Sequence, residues 1–176
     1  MSCTNSHSRQ SVSHRGLNEQ TNDQTPTTVS STATEIKEAL PSEITVISPF
    51  VDRLGLVLKP FIENSKAVVG AEEDIETAVR EALANAIIHG NRQDPHKSVY
   101  VSVICKDREI LITVRDEGQG FDASTVADPT AEEKLKLNHG RGIHLMRALM
   151  DEVSFDRNGT VVRMRKILNG NITALR

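Results

Sequence analysis

An α+β fold, with helices layered on a largely antiparallel sheet, is what this chain predicts, and three observations carry that reading. Apolar residues alternate between a period of two and a period of 3.6 in the order β-α-α-β-β-loop-α-β-β, and strand runs set between helices build such layers. Two pairs of alternating runs meet across short turns, Lys106-Asp107-Arg108 and Arg157-Asn158-Gly159, which is how antiparallel hairpins are written. The 176 residues are 38% hydrophobic but only 3% aromatic, with no Trp. One aliphatic core domain plus a tail is the expected result.

Residues 1–38 are rich in Ser, Thr, Asn and Gln and lack apolar periodicity. Such a segment cannot bury enough surface to offset its ordering entropy, so a disordered tail is expected there. A domain at 39–170 and a short tail at 171–176 follow. Order begins near Leu40, and residues 44–47 read as the first strand. Ser48-Pro49 suits an N-cap with proline at the first helical position. Val51, Leu54, Val57 and Leu58 continue a helical stripe, which Pro60 either kinks or ends.

The second helix is the clearest element. Glu72, Glu73 and Asp74 suit its positive N-terminal end. Ile75, Ala78, Val79, Ala82 and Ala86 form the apolar stripe, and Gly90 suits the position just past the C-cap. Strand-like runs at 99–105 and 109–115 come next. A polar stretch at about 122–138 then leads to a helix carrying Ile143, Met146, Leu149 and Met150. Runs at 153–156 and 160–167 close the order, and there is no internal repeat.

Several function classes are disfavoured. A formal charge of −3 and a pI near 6.1 offer no basic face to displace nucleic-acid counterions. Cys3 and Cys105, the first in the tail and the second inside an apolar run, suit reduced thiols better than a disulfide or a metal site. No stretch approaches the roughly 20 apolar residues of a membrane span, and the N-terminus has no apolar signal region. A soluble, cytoplasmic chain is expected.

Three motifs carry chemistry. The first is E-A-L-A-N-A-I-I-H-G at 81–90, where Glu81, Asn85 and His89 share one helical face. A polar row beside a core stripe is usually a solvated edge. Asn85 changes that balance, because Asn is a mediocre helix former and its carbonyl suits a hard cation such as magnesium. Glu81, one turn earlier, is placed to accept a proton beside that cation. His89 is given no catalytic part.

The second motif is D-E-G-Q-G at 116–120. A charged turn after a strand is common, but a carboxylate at Asp116 can accept a hydrogen bond from the adenine amino group. Guanine presents a carbonyl there, so the same group rejects it. Gly118 and Gly120 let backbone approach a base and sugar. The polar stretch after Phe121 has the length and composition of a lid. The third motif is H-G-R-G at 139–142. Gly140 and Gly142 open a helix whose N-terminal amides favour phosphate, and Arg141 can add charge. No Walker loop and no dinucleotide fingerprint occurs.

In order and spacing these motifs resemble the N, G1 and G2 boxes of the gyrase/histidine-kinase/MutL ATPase superfamily. That resemblance implies a Bergerat-type two-layer α/β sandwich, with a mixed, largely antiparallel sheet and helices on one face. E-A-L-A-N-A-I-I-H-G and V-R-D-E-G-Q-G look most like the small serine/threonine kinases that act as anti-sigma factors in bacterial partner-switching. The resemblance spans roughly residues 40–168. It implies Glu81 as general base, Asn85 as Mg2+ ligand, Asp116 as adenine contact, and Gly118, Gly120, Gly140 and Gly142 as nucleotide-loop glycines, with ATP as the nucleotide. One departure is the lid, where Leu137-Asn138-His139 stand in place of the Gly and Ser common in the family.

The implied partners are a sigma factor and its anti-anti-sigma antagonist, meeting the first helix near Arg53 and the lid, and a homodimer is compatible. No nucleic acid or membrane is expected. The alternative is a nucleotide-dependent sequestering module without significant turnover. A histidine-kinase fragment is disfavoured, because His7 and His14 lie in the polar tail and not on a long helix.

Overall fold

The computed structural model describes residues 33–65, 69–106, 108–120 and 138–168. The tail up to residue 32, with Cys3, His7 and His14, lies outside the described residues. So do residues 121–137, which hold most of the expected lid, and residues 169–176. The elements run β1 (Thr34–Pro41), a 3-10 turn (Ile44–Val46), α1 (Ile47–Ser65), α2 (Ala71–Ala84), a π-helical turn (Asn85–Gly90), β2 (Ser98–Lys106), β3 (Glu109–Arg115), α3 (Asn138–Leu149), β4 (Glu152–Asp156) and β5 (Val161–Ile167).

The sheet has the order β1-β2-β3-β5-β4. Every described pairing is antiparallel, within the mixed, largely antiparallel sheet that the resemblance implies. Period-two alternation decides which face is covered. Val101 stands opposite Val114, Val103 opposite Ile112, and Ile112 opposite Met164. All of these are buried in one cluster with Leu54 and Leu58 of α1, Ile75, Val79 and Leu83 of α2, and Ile143 and Met146 of α3. The intervening residues Tyr100, Ser102, Thr113 and Arg163 line the opposite, open face. The result is a two-layer α+β sandwich with its helices on one side. Cys105 belongs to the core, a free thiol that burial pushes up to about 11.

Three expectations need correction. The first strand is Thr34–Pro41, not residues 44–47, so residues 34–38 are strand and not tail. β1 pairs with a single neighbour, β2, and its half-buried row includes Glu38, whose carboxylate is met by Arg53 Nη2 at 2.8 Å. An edge strand with a charged residue in its inward row shows little apolar alternation. Ile44-Thr45-Val46 has strand propensity, but it forms a 3-10 turn because β1 has just ended at Pro41; context overrides β propensity. Ser48 consequently falls inside α1 and not at its cap, and its hydroxyl accepts from Arg80 Nη1 at 3.0 Å.

Pro60 does not end α1, which continues to Ser65. Pro60 and Leu56, one turn earlier, are both exposed, so the carbonyl that loses its donor can be hydrated. The second helix begins as expected, with Glu72, Glu73 and Asp74 in its first turn. Asp74 also meets Lys166 Nζ of β5 at 2.9 Å, tying the start of α2 to the sheet. Both hairpins form where the turns predict them. The second uses left-handed backbone at Arg157, Asn158 and Gly159, with φ of 50°, 54° and 82°.

Candidate functional site

Glu81 ends one turn of α2 and Asn85 begins the next, and both side chains are half-buried. From Asn85 the helix widens into a six-residue π-turn. Asn91 N–H donates to the Ala86 carbonyl at 2.8 Å, and Gln93 N–H to the Ile87 carbonyl at 2.8 Å. Single π-turns insert a residue into the helical repeat and recur at functional sites. Here the extra residue interrupts the i, i+4, i+8 register after Asn85, and His89 falls within the π-turn as an exposed residue. Gly90 is the last residue of the π-turn, and the C-cap is Asn91 at φ −80°, so Gly90 precedes the cap and does not follow it.

The third motif comes to the first. Helix α3 starts at Asn138, so Gly142 sits one turn inside it and is buried. A Cβ on Gly142 would lie 2.6 Å from Glu81 Oε2 and 3.3 Å from Asn85 Nδ2. The missing side chain is what lets α3 approach the carboxylate and the carboxamide. Arg141, beside it, is exposed. Gly140 lies in the first turn of α3, where helical amides have no partner inside the helix.

The second motif comes to the other end of the same helix. Asp116 follows β3, its N–H donating to the Thr160 carbonyl at 3.0 Å. Its Oδ1 accepts from Gly118 N–H at 2.7 Å. Gly90 packs on this carboxylate so closely that a Cβ there would lie 2.7 Å from each oxygen. A Cβ on Gly118 would overlap the Gly90 carbonyl, and one on Gly120 the Asn158 carbonyl. Gly120 also has φ +76°, which disfavours any side chain. Burial pushes the Asp116 carboxyl up. The Gly118 and Asp116 N–H bonds, with the charges of Lys97 and Arg115, pull it down by less. The structure thus brings Glu81, Asn85 and Gly142 together at one end and Asp116, Gly118 and Gly90 at the other, joined by the π-turn.

Residues 51–166 match the family described as the histidine kinase-like ATPase domain. The chain belongs to that family. The match runs from α1 to β5 and so includes every motif above. Among relatives, the anti-sigma F factor of Heyndrickxia coagulans is 42% identical over 99 residues, covering 53% of this chain and 67% of that protein. The anti-sigma F factor of Bacillus subtilis strain 168 is 32% identical over 139 residues, covering 76% of this chain and 95% of the relative. That of Oceanobacillus iheyensis is 36% identical over 118 residues, covering 64% and 81%.

The histidine kinase-like ATPase domain also contains site residues that sequence reasoning missed. Asn91 is fully buried. Its Oδ1 accepts from Glu117 N–H at 2.7 Å and its Nδ2 donates to the Ser98 carbonyl at 3.0 Å. The Glu117 carboxylate in turn accepts from Ser98 N–H at 2.8 Å and from the Tyr100 hydroxyl at 3.2 Å. The Tyr100 ring is covered by the Arg115 guanidinium, 3.9 Å from its centroid. Nothing in G-N-R-Q-D-P marks Asn91 as buried, since the same letters write an exposed turn.

Proposed function

We propose that this chain is an ATP-dependent serine/threonine protein kinase that acts in the cytoplasm as an anti-sigma factor. In this reading it holds a sigma factor and phosphorylates a small anti-anti-sigma antagonist. The names of its relatives support the regulatory part, and membership of an ATPase family supports the nucleotide. No helix among the described residues is long and apolar enough to cross a membrane. The observation that carries the chemistry is Gly142 seated against Glu81 and Asn85. Without a side chain at Gly142, the first turn of α3, whose amides have no partner inside the helix, comes close beside a carboxylate and a carboxamide.

The residues fit Mg2+, with Asn85 as its protein ligand, because a hard cation of this kind takes one or two protein oxygens and leaves the rest to water and phosphate. When bound it neutralises charge on the phosphate oxygens. Glu81 lies one turn from Asn85, where it can take the proton of an incoming Ser or Thr hydroxyl. The hydroxyl oxygen bonds to the γ-phosphorus, the bond to the β-phosphate oxygen breaks, and ADP leaves. Asp116 holds the adenine amino group, while Gly118, Gly120, Gly140 and Gly142 let backbone close on the nucleotide.

Arg53, which this reading assigns to the partner surface, is held by Glu38 and by the Pro49 carbonyl at 3.2 Å, with Phe50 beneath it. Phosphorylating the antagonist adds roughly −1.5 to −2 charges beside a phosphate-rich site, and repulsion then releases it. The test is a pull-down from the native cytoplasm with and without Mg-ATP, followed by phosphosite mapping. Nucleotide-dependent capture of a sigma factor, with phosphate on Ser or Thr of a small co-captured protein, is expected. Capture without any such phosphate would leave a sequestering module, and no nucleotide dependence would overturn the reading.

A further inference from the structure

Asn91 lies outside all three motifs, one residue past the π-turn. Its carboxamide closes a ring of three hydrogen bonds. Asn91 Nδ2 donates to the Ser98 carbonyl, Ser98 N–H donates to Glu117 Oε2, and Glu117 N–H donates to Asn91 Oδ1. The ring needs one donor and one acceptor on a short planar group. An ionised Asp lacks the donor and Leu lacks both. Three segments meet in it: the end of the π-turn, the start of β2 and the loop after β3. Two of the three ring residues adjoin the site, since Gly90 precedes Asn91 and Asp116 precedes Glu117. Gly90 and Asp116 are themselves in contact, with Gly118 over the Gly90 carbonyl. Asn91 is the buried member of the ring, and a buried carboxamide whose oxygen and nitrogen are both satisfied specifies one arrangement.

We propose that Asn91 is a positioning residue for nucleotide selection. It locks the π-turn that begins at Asn85 to the D-E-G-Q-G loop, and so holds Asp116 where it accepts from adenine and repels the guanine carbonyl. The inference rests on the ATP reading of Asp116 and extends it to a residue that touches no nucleotide. Asn91→Ala frees the Glu117 amide and lets the loop drift, so affinity for adenine falls while the weak affinity for guanine stays.

The test is calorimetry of the full chain with Mg-ADP and Mg-GDP, on the wild type, Asn91→Ala, Asp116→Asn and the double variant. Asn91→Ala is expected to weaken ADP about tenfold, from the loss of the two half-buried hydrogen bonds of the carboxamide, and to shrink the ADP:GDP ratio by the same factor. Because Asn91 acts through Asp116, the double variant should be little worse than Asp116→Asn alone. Equal losses of ADP and GDP, or additive losses in the double variant, would overturn the inference and leave Asn91 a stabilising core residue. Should Asn91→Ala fail to fold, Glu117→Ala opens the ring from its exposed side, and an unchanged ratio there is equally fatal. Amide exchange at Glu117 in the nucleotide-free protein reads the ring alone and should quicken in either variant. A wild type that does not tell ADP from GDP, yet shows the slow Glu117 amide, would overturn the adenine assignment and its extension together.

Discussion

At Asp116 the site is walled by backbone, and at Glu81 it is walled by side chains. The Asp116 loop is held by the Thr160 carbonyl, the Gly118 amide and the buried Asn91, and a Cβ on Gly118 would meet main chain. Around Glu81 and Asn85, the group that presses closest on Gly142 is the free end of a carboxylate. Among the described residues no hydrogen bond fixes either side chain. In the proposed reading, the first region is preorganised to read a flat, rigid base. In the same reading, the second keeps polar groups available for phosphate and for a proton in transit, which a fully satisfied network could not offer.

The largest effect expected from this contrast is chemical. Glu81→Ala removes the proposed proton acceptor without touching the Asp116 end. Phosphotransfer should fall about 10²–10⁴-fold, while ADP affinity stays near that of the wild type. A quench-flow assay and calorimetry on one preparation measure both. Phosphotransfer at the wild-type rate would make Glu81 a half-buried edge carboxylate.

The glycines sharpen the comparison further. Gly118→Ala drives a Cβ into the Gly90 carbonyl, and main chain yields only by shifting the loop. A loss of about 1–3 kcal/mol in stability is expected, with weaker nucleotide binding. Gly142→Ala meets the mobile end of Glu81, which can swing aside. Its stability should stay within about 1 kcal/mol of wild type, yet phosphotransfer should drop because Glu81 has been turned. Denaturant melts beside phosphotransfer rates decide it. Two variants that lose stability equally would remove the distinction between the walls.

The same contrast explains what the sequence disclosed. The hairpins, the layer order and the acidic start of α2 were legible because period, turn residues and helix-end charge are local signals. The sequence placed Glu81 and Asn85 on one face because i, i+4 spacing is local too. The π-turn was hidden, since N-A-I-I-H-G is equally a plain helix. The role of Gly90 followed the π-turn out of sight, because only the fold shows the Asp116 carboxylate against it. Asn91 and Glu117 act across 26 positions of sequence, and nothing near either residue announces such a bond. β1 was missed for a related reason. Its inward Glu38 is satisfied by Arg53 on another element, which erases the apolar alternation that marks a strand.

Asp116→Asn tests the proposed adenine-reading end directly. Half of an acceptor becomes a donor, and adenine binding should weaken by about 1–3 kcal/mol. Calorimetry with ATP and GTP measures it. Equal affinities for both nucleotides in the wild type would sink the assignment of Asp116.

The smallest effect separates the energetics of that residue from its function. Burial is the leading influence on the Asp116 carboxyl and pushes it above the ordinary range, against the Gly118 amide and the charges of Lys97 and Arg115. A folded pKa above the unfolded one means that the folded chain holds the proton more tightly. The ionised carboxylate therefore costs stability. That cost is absent below the unfolded value of about 4, grows as pH rises towards the folded value, and is complete above it. Asp116→Asn removes the charge but keeps an oxygen to accept from Gly118. The nucleotide-free variant should thus melt slightly higher than wild type near neutral pH, with the gap closing as pH falls towards 4. A site kept ready for adenine at some expense in stability is what such a gap would mean. A gap that is inverted or independent of pH would show that the amide bonds to the charged form outweigh burial, so that even the reading end is held by attraction alone.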